Sequence, residues 1–253
     1  MEANVPARPK PRRSLPEFLN VPWHLGDLGL FVLGWIGIQV AAVIALAIVG
    51  QSVPVVEQFV TGAQRGDIGP SFTLDLLDAV VGFGLVWAFL RKYKVGWSMA
   101  GWRKVDMWRM FKYLALVLVG FIAVVSVLLA VLAVLLHGFN ANQAQTNDFT
   151  QGASAHPSIA LVALVLLPPV LEETIFRGFI FPALAKRAGV VWGAILSSAI
   201  FGIAHFQANI SVYTFVLGLV LCFMYLRLKS IVPGIFLHML NNYLAFIALS
   251  STK

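Results

Sequence analysis

Two adjacent carboxylates and an arginine, Glu172, Glu173 and Arg177, interrupt the otherwise apolar stretch LLPPVLEETIFRGF (166–179), and no other acidic residue follows Asp148. A charge near the centre of a membrane span costs roughly 2.5 to 3.5 kcal/mol on insertion scales, so such residues face a partner or a water-filled cavity. Glu173 and Arg177 stand at i and i+4 and can pair on one helix face. Glu172 lies about 100° round the helix from its neighbour and is left to point elsewhere. Of five histidines, His24, His137 and His156 fall in tails or loops, whereas His205 and His238 lie in apolar segments. Either one alone reads as a packing or interhelical hydrogen-bonding histidine. Asn242 follows His238 by one helical turn on the same face, while Asn241 is off that face and suits a cap or an interhelical bond. A carboxylate, two imidazoles and an amide are the side chains of acid–base and hydrogen-bonding chemistry.

The elements that must hold these residues are membrane helices. The 253-residue chain is 59% hydrophobic and only 11% charged, and its mean hydropathy is +0.85, far from the roughly 25% charged share of a soluble domain. Seven apolar runs are candidate spans: Leu28 to Val49, Phe72 to Leu90, Leu114 to Leu136, Ser158 to about Gly178, Val190 to Phe206, Val212 to Leu226 and Ile231 to Leu249. About 20 helical residues cross a hydrocarbon core. The expected fold is therefore an all-α polytopic membrane bundle, with some of the last four segments short or re-entrant. The first run is too long for a signal-peptide core and lacks a cleavage site, so it reads as a retained span. Cys222, the single cysteine, reads as packing.

The net charge of +7 is placed rather than spread. Arg8, Lys10, Arg12 and Arg13 precede the first span, and Arg91, Lys92, Lys94, Arg103, Lys104, Arg109 and Lys112 lie between the second and third. The positive-inside rule makes those regions, and the N-terminus, cytoplasmic. Trp97, Trp102 and Trp108 among these cations suit an interfacial segment or simple topological anchoring. The charge thus implies membrane lipids as partners and not nucleic acid.

Depth arithmetic brings the polar residues together. Glu172 lies 17 residues before Gly189, the break between the fourth and fifth runs, and His205 lies 16 after it. In an antiparallel hairpin both then sit about 25 Å from the tip. The turn RLKS (227–230) ends eight residues, about 12 Å, before His238, so all three groups share one depth if the first hairpin protrudes into the cytosol. Pro168 and Pro169 remove helix hydrogen bonds a turn before Glu172, which should bend that helix and free carbonyls that need a partner.

The motifs EETIFR (Glu172, Glu173, Arg177), FGIAH (Phe201, His205) and HMLNN (His238, Asn242) resemble the EExxxR, FxxxH and HxxxN motifs of the CPBP intramembrane proteases. That family includes type II CAAX prenyl proteases and the bacterial Abi proteins linked to bacteriocin processing or immunity. The resemblance covers Ile159 to roughly Leu249. It implies a peptidase in which Glu172 and His205 activate water, His238 and Asn242 stabilise the oxyanion, and Glu173 and Arg177 give support. Two histidines and a carboxylate (Glu172, His205, His238) also suit a catalytic zinc site, but the HExxH arrangement is absent and a metal-free glutamate mechanism is favoured slightly. Two other readings stand beside the protease: a non-catalytic scaffold or immunity protein, and a proton- or ion-coupled transporter, which the absence of an inverted repeat disfavours.

The expected organisation is a basic, disordered cytoplasmic tail (1–24), N-terminal spans and loops (25–157), a catalytic membrane core (158–249) and a short C-terminal tail (250–253). The expected setting is a bacterial cell membrane, with a membrane-associated peptide or protein as substrate.

Overall fold

The structure, a computed structural model, describes residues 15–135, 156–205 and 208–250. Each apolar run read from the sequence corresponds to a helix among the described residues. Helix α1 spans Leu25–Gly50, α3 Ile68–Lys92, α4 Met107–Leu135, α5 Pro157–Ala188, α6 Val190–Ile203, α7 Ala208–Leu228 and α8 Val232–Ser250. Five of these, α1, α3, α4, α5 and α7, are long and apolar enough to cross a membrane, while α6 and α8 are shorter apolar helices. The protein is a multi-pass integral membrane protein. The sequence reading missed α2, Pro54–Gln64, which the chain inserts between the first two spans. Pro54 at its first turn marks the start, where a missing N–H costs nothing.

Burial separates the spans by role. None of the apolar window of α1 is buried inside the protein, whereas half that of α5 is. Lipid therefore faces α1, and α5 is the central helix. Phe179 on α5 organises the core there, stacking on Trp23 at 4.9 Å and meeting Phe31 at 5.1 Å and Phe89 at 5.2 Å. The basic helix ends converge on one face of the bundle: Arg103 and Arg109 donate to the carbonyls of Lys229 and Arg227, and Lys186 donates to that of Val21. On the same face Asp27, 1% exposed, accepts from Lys92 Nζ and the Tyr93 hydroxyl, each at 2.6 Å, tying the start of α1 to the end of α3.

Two expectations change. Residues 15–24 are not a disordered tail. Leu19, Val21 and Trp23 are essentially fully buried, and the Trp23 indole N–H donates to the Phe179 carbonyl at 2.9 Å. Apolar side chains interleaved among the prolines and charges supply an anchor that a compositional reading overlooks. The second concerns the loop between α3 and α4, read as an interfacial segment or a simple topological anchor. Trp97 and Trp108 are exposed, but Ala100 is fully buried. A Cβ on Gly178 would collide with the Ala100 carbonyl oxygen, and Gly101, at φ +86°, packs beneath Ile231 and Tyr225. The Ile231 N–H donates to Gly101, and Ser230 Oγ donates to the Arg103 carbonyl. The loop is a brace under α5 and the α7–α8 turn.

The prolines distort α5 as expected. Its α-helical segments, Pro157–Leu161, Leu167–Glu173 and Phe181–Ala188, are separated by wider π turns at Val162–Leu166 and Thr174–Ile180. Such turns occur mostly inside α-helices and often at functional sites. At the far end Gly189, at φ +86°, lets the chain reverse into α6. A Cβ on Gly193 would lie 2.6 Å from Ala185 backbone atoms, so the hairpin arms touch backbone to backbone.

Candidate active site

The helix phase of α5 sends its two carboxylates into different surroundings. Glu173 is sealed from solvent and pairs with Arg177, equally buried, at 2.7 Å between Oε1 and Nη1. Glu172 keeps 25% side-chain exposure, and its Oε2 lies 3.7 Å from His238 Nε2. The other ring nitrogen of His238, Nδ1, lies 3.5 Å from Glu173 Oε1. The imidazole on α8 thus stands between both carboxylates of α5, a contact for Glu173 that its i,i+4 pairing gave no hint of. Glu172 Oε2 and His238 Nδ1 have no hydrogen-bond partner among the described residues. The backbone of α8 comes close because Gly234 bears no side chain: a Cβ there would meet Glu173 Oε2 at 3.0 Å.

Phe201 on α6 joins the two histidines. Its ring is edge-to-face with His205 at 5.0 Å and with His238 at 5.8 Å, and the Arg177 guanidinium sits over it at 4.4 Å. This contact holds the buried cation against an aromatic face, a favourable arrangement when desolvated. His205 follows the last turn of α6, and its Nδ1 lies 2.8 Å from the Phe201 carbonyl oxygen. A carbonyl only accepts, so Nδ1 carries a proton, and in the neutral tautomer the lone pair is then on Nε2. Glu172 lies within the electrostatic reach of both histidines.

Asn242 is anchored. Its Nδ2 donates to the Leu164 carbonyl at 3.0 Å, and its Oδ1 accepts from Asn241 Nδ2 at 3.2 Å. Asn241 makes the interhelical bond expected of it, accepting from the Tyr213 hydroxyl on α7. Cys222 is buried beside Ser198, 3.9 Å from its Oγ, as a packing residue. His24 caps α1 and His156 is exposed ahead of α5, whereas His137 lies outside the described residues.

The structure therefore brings Glu172, Glu173, Arg177 and His238 into direct contact, with His205 joined to them through Phe201. Among the described residues no three His, Cys, Asp or Glu side chains are grouped closely enough to hold a metal ion. The sequence reading missed Tyr213 and the His238 contact of Glu173. A tyrosine hydroxyl among the apolar residues of α7 was the available signal for the first.

Fold and site together define a polytopic α-helical membrane protein with a buried Glu–His cluster at the meeting of α5, α6 and α8. Residues 154–244 match the family described as type II CAAX prenyl endopeptidase Rce1-like. The chain is also 35% identical over 85 residues to "Putative membrane peptidase YdiL" of Bacillus subtilis (strain 168), an alignment covering 33% of this chain. The matched region spans about a third of that relative's length, 34%. No solved structure matches the chain.

Proposed function

We propose that residues 158–249 form the catalytic core of an intramembrane endopeptidase that hydrolyses a peptide bond of a membrane-associated substrate. The observation that carries this reading is the asymmetry of the carboxylate pair: Glu173 is closed off by Arg177, while Glu172 is partly accessible and faces His238. Glu172 takes a proton from water as general base, and His205 accepts the second water hydrogen at Nε2 and so aims the oxygen. Attack on the scissile carbonyl forms the new C–O bond and places negative charge on the carbonyl oxygen. His238 and Asn242 donate to that oxygen, and such donors lower the barrier most in a water-poor site. Collapse of the intermediate breaks the C–N bond, and the proton held by Glu172 passes to the departing amine. No step requires a metal.

The test compares membrane proteomes of cells carrying the wild-type chain or Glu172→Ala. Shortened membrane peptides present only with the wild type support the proposal and name the substrate. Identical proteomes, with Glu172→Ala keeping any phenotype of the wild type, would establish a non-catalytic scaffold instead.

A further inference from the structure

The double proline of α5 leaves the Leu164 carbonyl without a helical partner. The Leu164 oxygen would bond to the N–H of residue 168 in an α-helix and to that of residue 169 in a π turn. Both positions are proline and neither has an N–H. Leu164 lies in the π turn Val162–Leu166, so both donors that such a backbone offers are missing at that oxygen. Asn242 Nδ2, from α8, supplies the missing donor at 3.0 Å.

That bond fixes every other atom assignment in the chain of amides. A carbonyl cannot donate, so the Asn242 atom facing Leu164 is the NH2 group and its Oδ1 faces the other way, toward Asn241. An amide oxygen needs a donor there, and Asn241 Nδ2 provides it at 3.2 Å. The Asn241 oxygen then faces Tyr213, whose hydroxyl donates to it. Tyr213 is itself held by Phe121 of α4, edge-to-face at 5.4 Å. A second N–H remains on Asn242, with no acceptor among the described residues.

We infer that Tyr213 and Asn241 are positioning residues: with the Leu164 carbonyl they lock the Asn242 amide so that its NH2 edge, not its oxygen, is the one presented one turn from His238. The inference rests on the proposed peptidase reading for its consequence, since a flipped Asn242 would turn an acceptor toward a developing oxyanion. It also makes α4, outside the family-matched segment, part of the support of the site through Phe121.

The lock is read directly by side-chain amide NMR of the full chain, 15N-labelled at asparagine in detergent, with Asn242→Gln for assignment. The expected wild-type signature is one Asn242 NH2 proton shifted by its hydrogen bond and protected from solvent exchange. Tyr213→Phe should lose that protection at least about tenfold with only a small drop in melting temperature, because one hydrogen bond is lost and the fold is otherwise kept. Pro168→Ala with Pro169→Ala restores a backbone donor to Leu164 and should also release Asn242, in a helix made more regular. Unchanged Asn242 exchange in both variants overturns the lock, whatever the activity. A second arm measures hydrolysis of a fluorogenic peptide ending in a prenylated cysteine motif. Tyr213→Phe should lower kcat by about 10-fold with KM unchanged, short of the 10²–10³ that losing an oxyanion donor outright costs. A raised KM at unchanged kcat would overturn the positioning role. A wild type that leaves this peptide uncut would exclude it as a substrate, and the lock is then decided by NMR.

Discussion

Glu172 and Glu173 are chemically identical neighbours whose surroundings give them different work. Glu172→Gln keeps shape and most hydrogen bonding but removes the base, so the variant is expected to fold normally and to lose cleavage. Glu173→Gln should instead destabilise the protein by about 3 to 5 kcal/mol, because Arg177 would be left a buried, uncompensated cation. It should also reduce activity, since Glu173 Oε1 is one of the two carboxylate oxygens flanking His238. Thermal melts and cleavage assays of both variants in detergent separate the two roles; a fully active Glu172→Gln protein would remove the mechanism. Metal dependence is argued from the same atoms. A zinc site requires its full ligand set, and losing one ligand releases the ion. With Glu172, His205 and His238 serving water and substrate, elemental analysis after chelation should find well under one zinc per chain and undiminished cleavage. Activity lost with one stoichiometric metal and restored on its return would reassign the same residues as ligands. Inhibition by excess zinc fits either mechanism, because a His/Glu cluster can capture an added ion.

At the scale of elements, most of the fold was readable in the sequence, for reasons local to the chain. Apolar run length alone marks α1, α3, α4 and α5, and the reversals at Gly189 and at RLKS fall where glycine and cations punctuate the runs. The same local signals set the Glu173–Arg177 pair and the disturbance of α5 by its prolines. Less legible were contacts joining residues far apart in the chain. Trp23 reaches Phe179 across 156 positions, and Asn242 reaches Leu164 across 78. Neither partner is a motif residue; both are main-chain carbonyls, which carry no signature in a sequence. Counting residues from the hairpin tip placed Glu172 and His205 at one depth. It did not foresee that the ring of Phe201 would stand between His205 and His238. Helical rise fixes height along an axis, while direct contact depends on the rotation and spacing of packed helices.

Across the whole molecule, the division into a tail, N-terminal spans and a catalytic core describes the chain order better than the packing. One continuous core runs from Trp23, Phe31 and Leu90 through Ala100 and Met110 to Phe176, Phe179 and Phe201. The residues before α1 and the α3–α4 loop are therefore struts of the site, although both lie outside residues 154–244. Trp23 tests this most directly. It is fully buried, stacks on Phe179 at 4.9 Å and donates to that residue's carbonyl, only two positions beyond Arg177. Trp23→Ala removes a large side chain from a packed site and leaves the Phe179 carbonyl without that donor. Such changes cost about 3 to 5 kcal/mol, and relaxation of α5 around the gap would carry Arg177 and Glu173 with it. The expected outcome is a lower melting temperature together with lost cleavage. Trp108→Ala is the control, since that side chain is 70% exposed and its loss should shift neither. Equal behaviour of the two variants would mean that the N-terminal anchor is dispensable and that the α5–α8 unit stands without it.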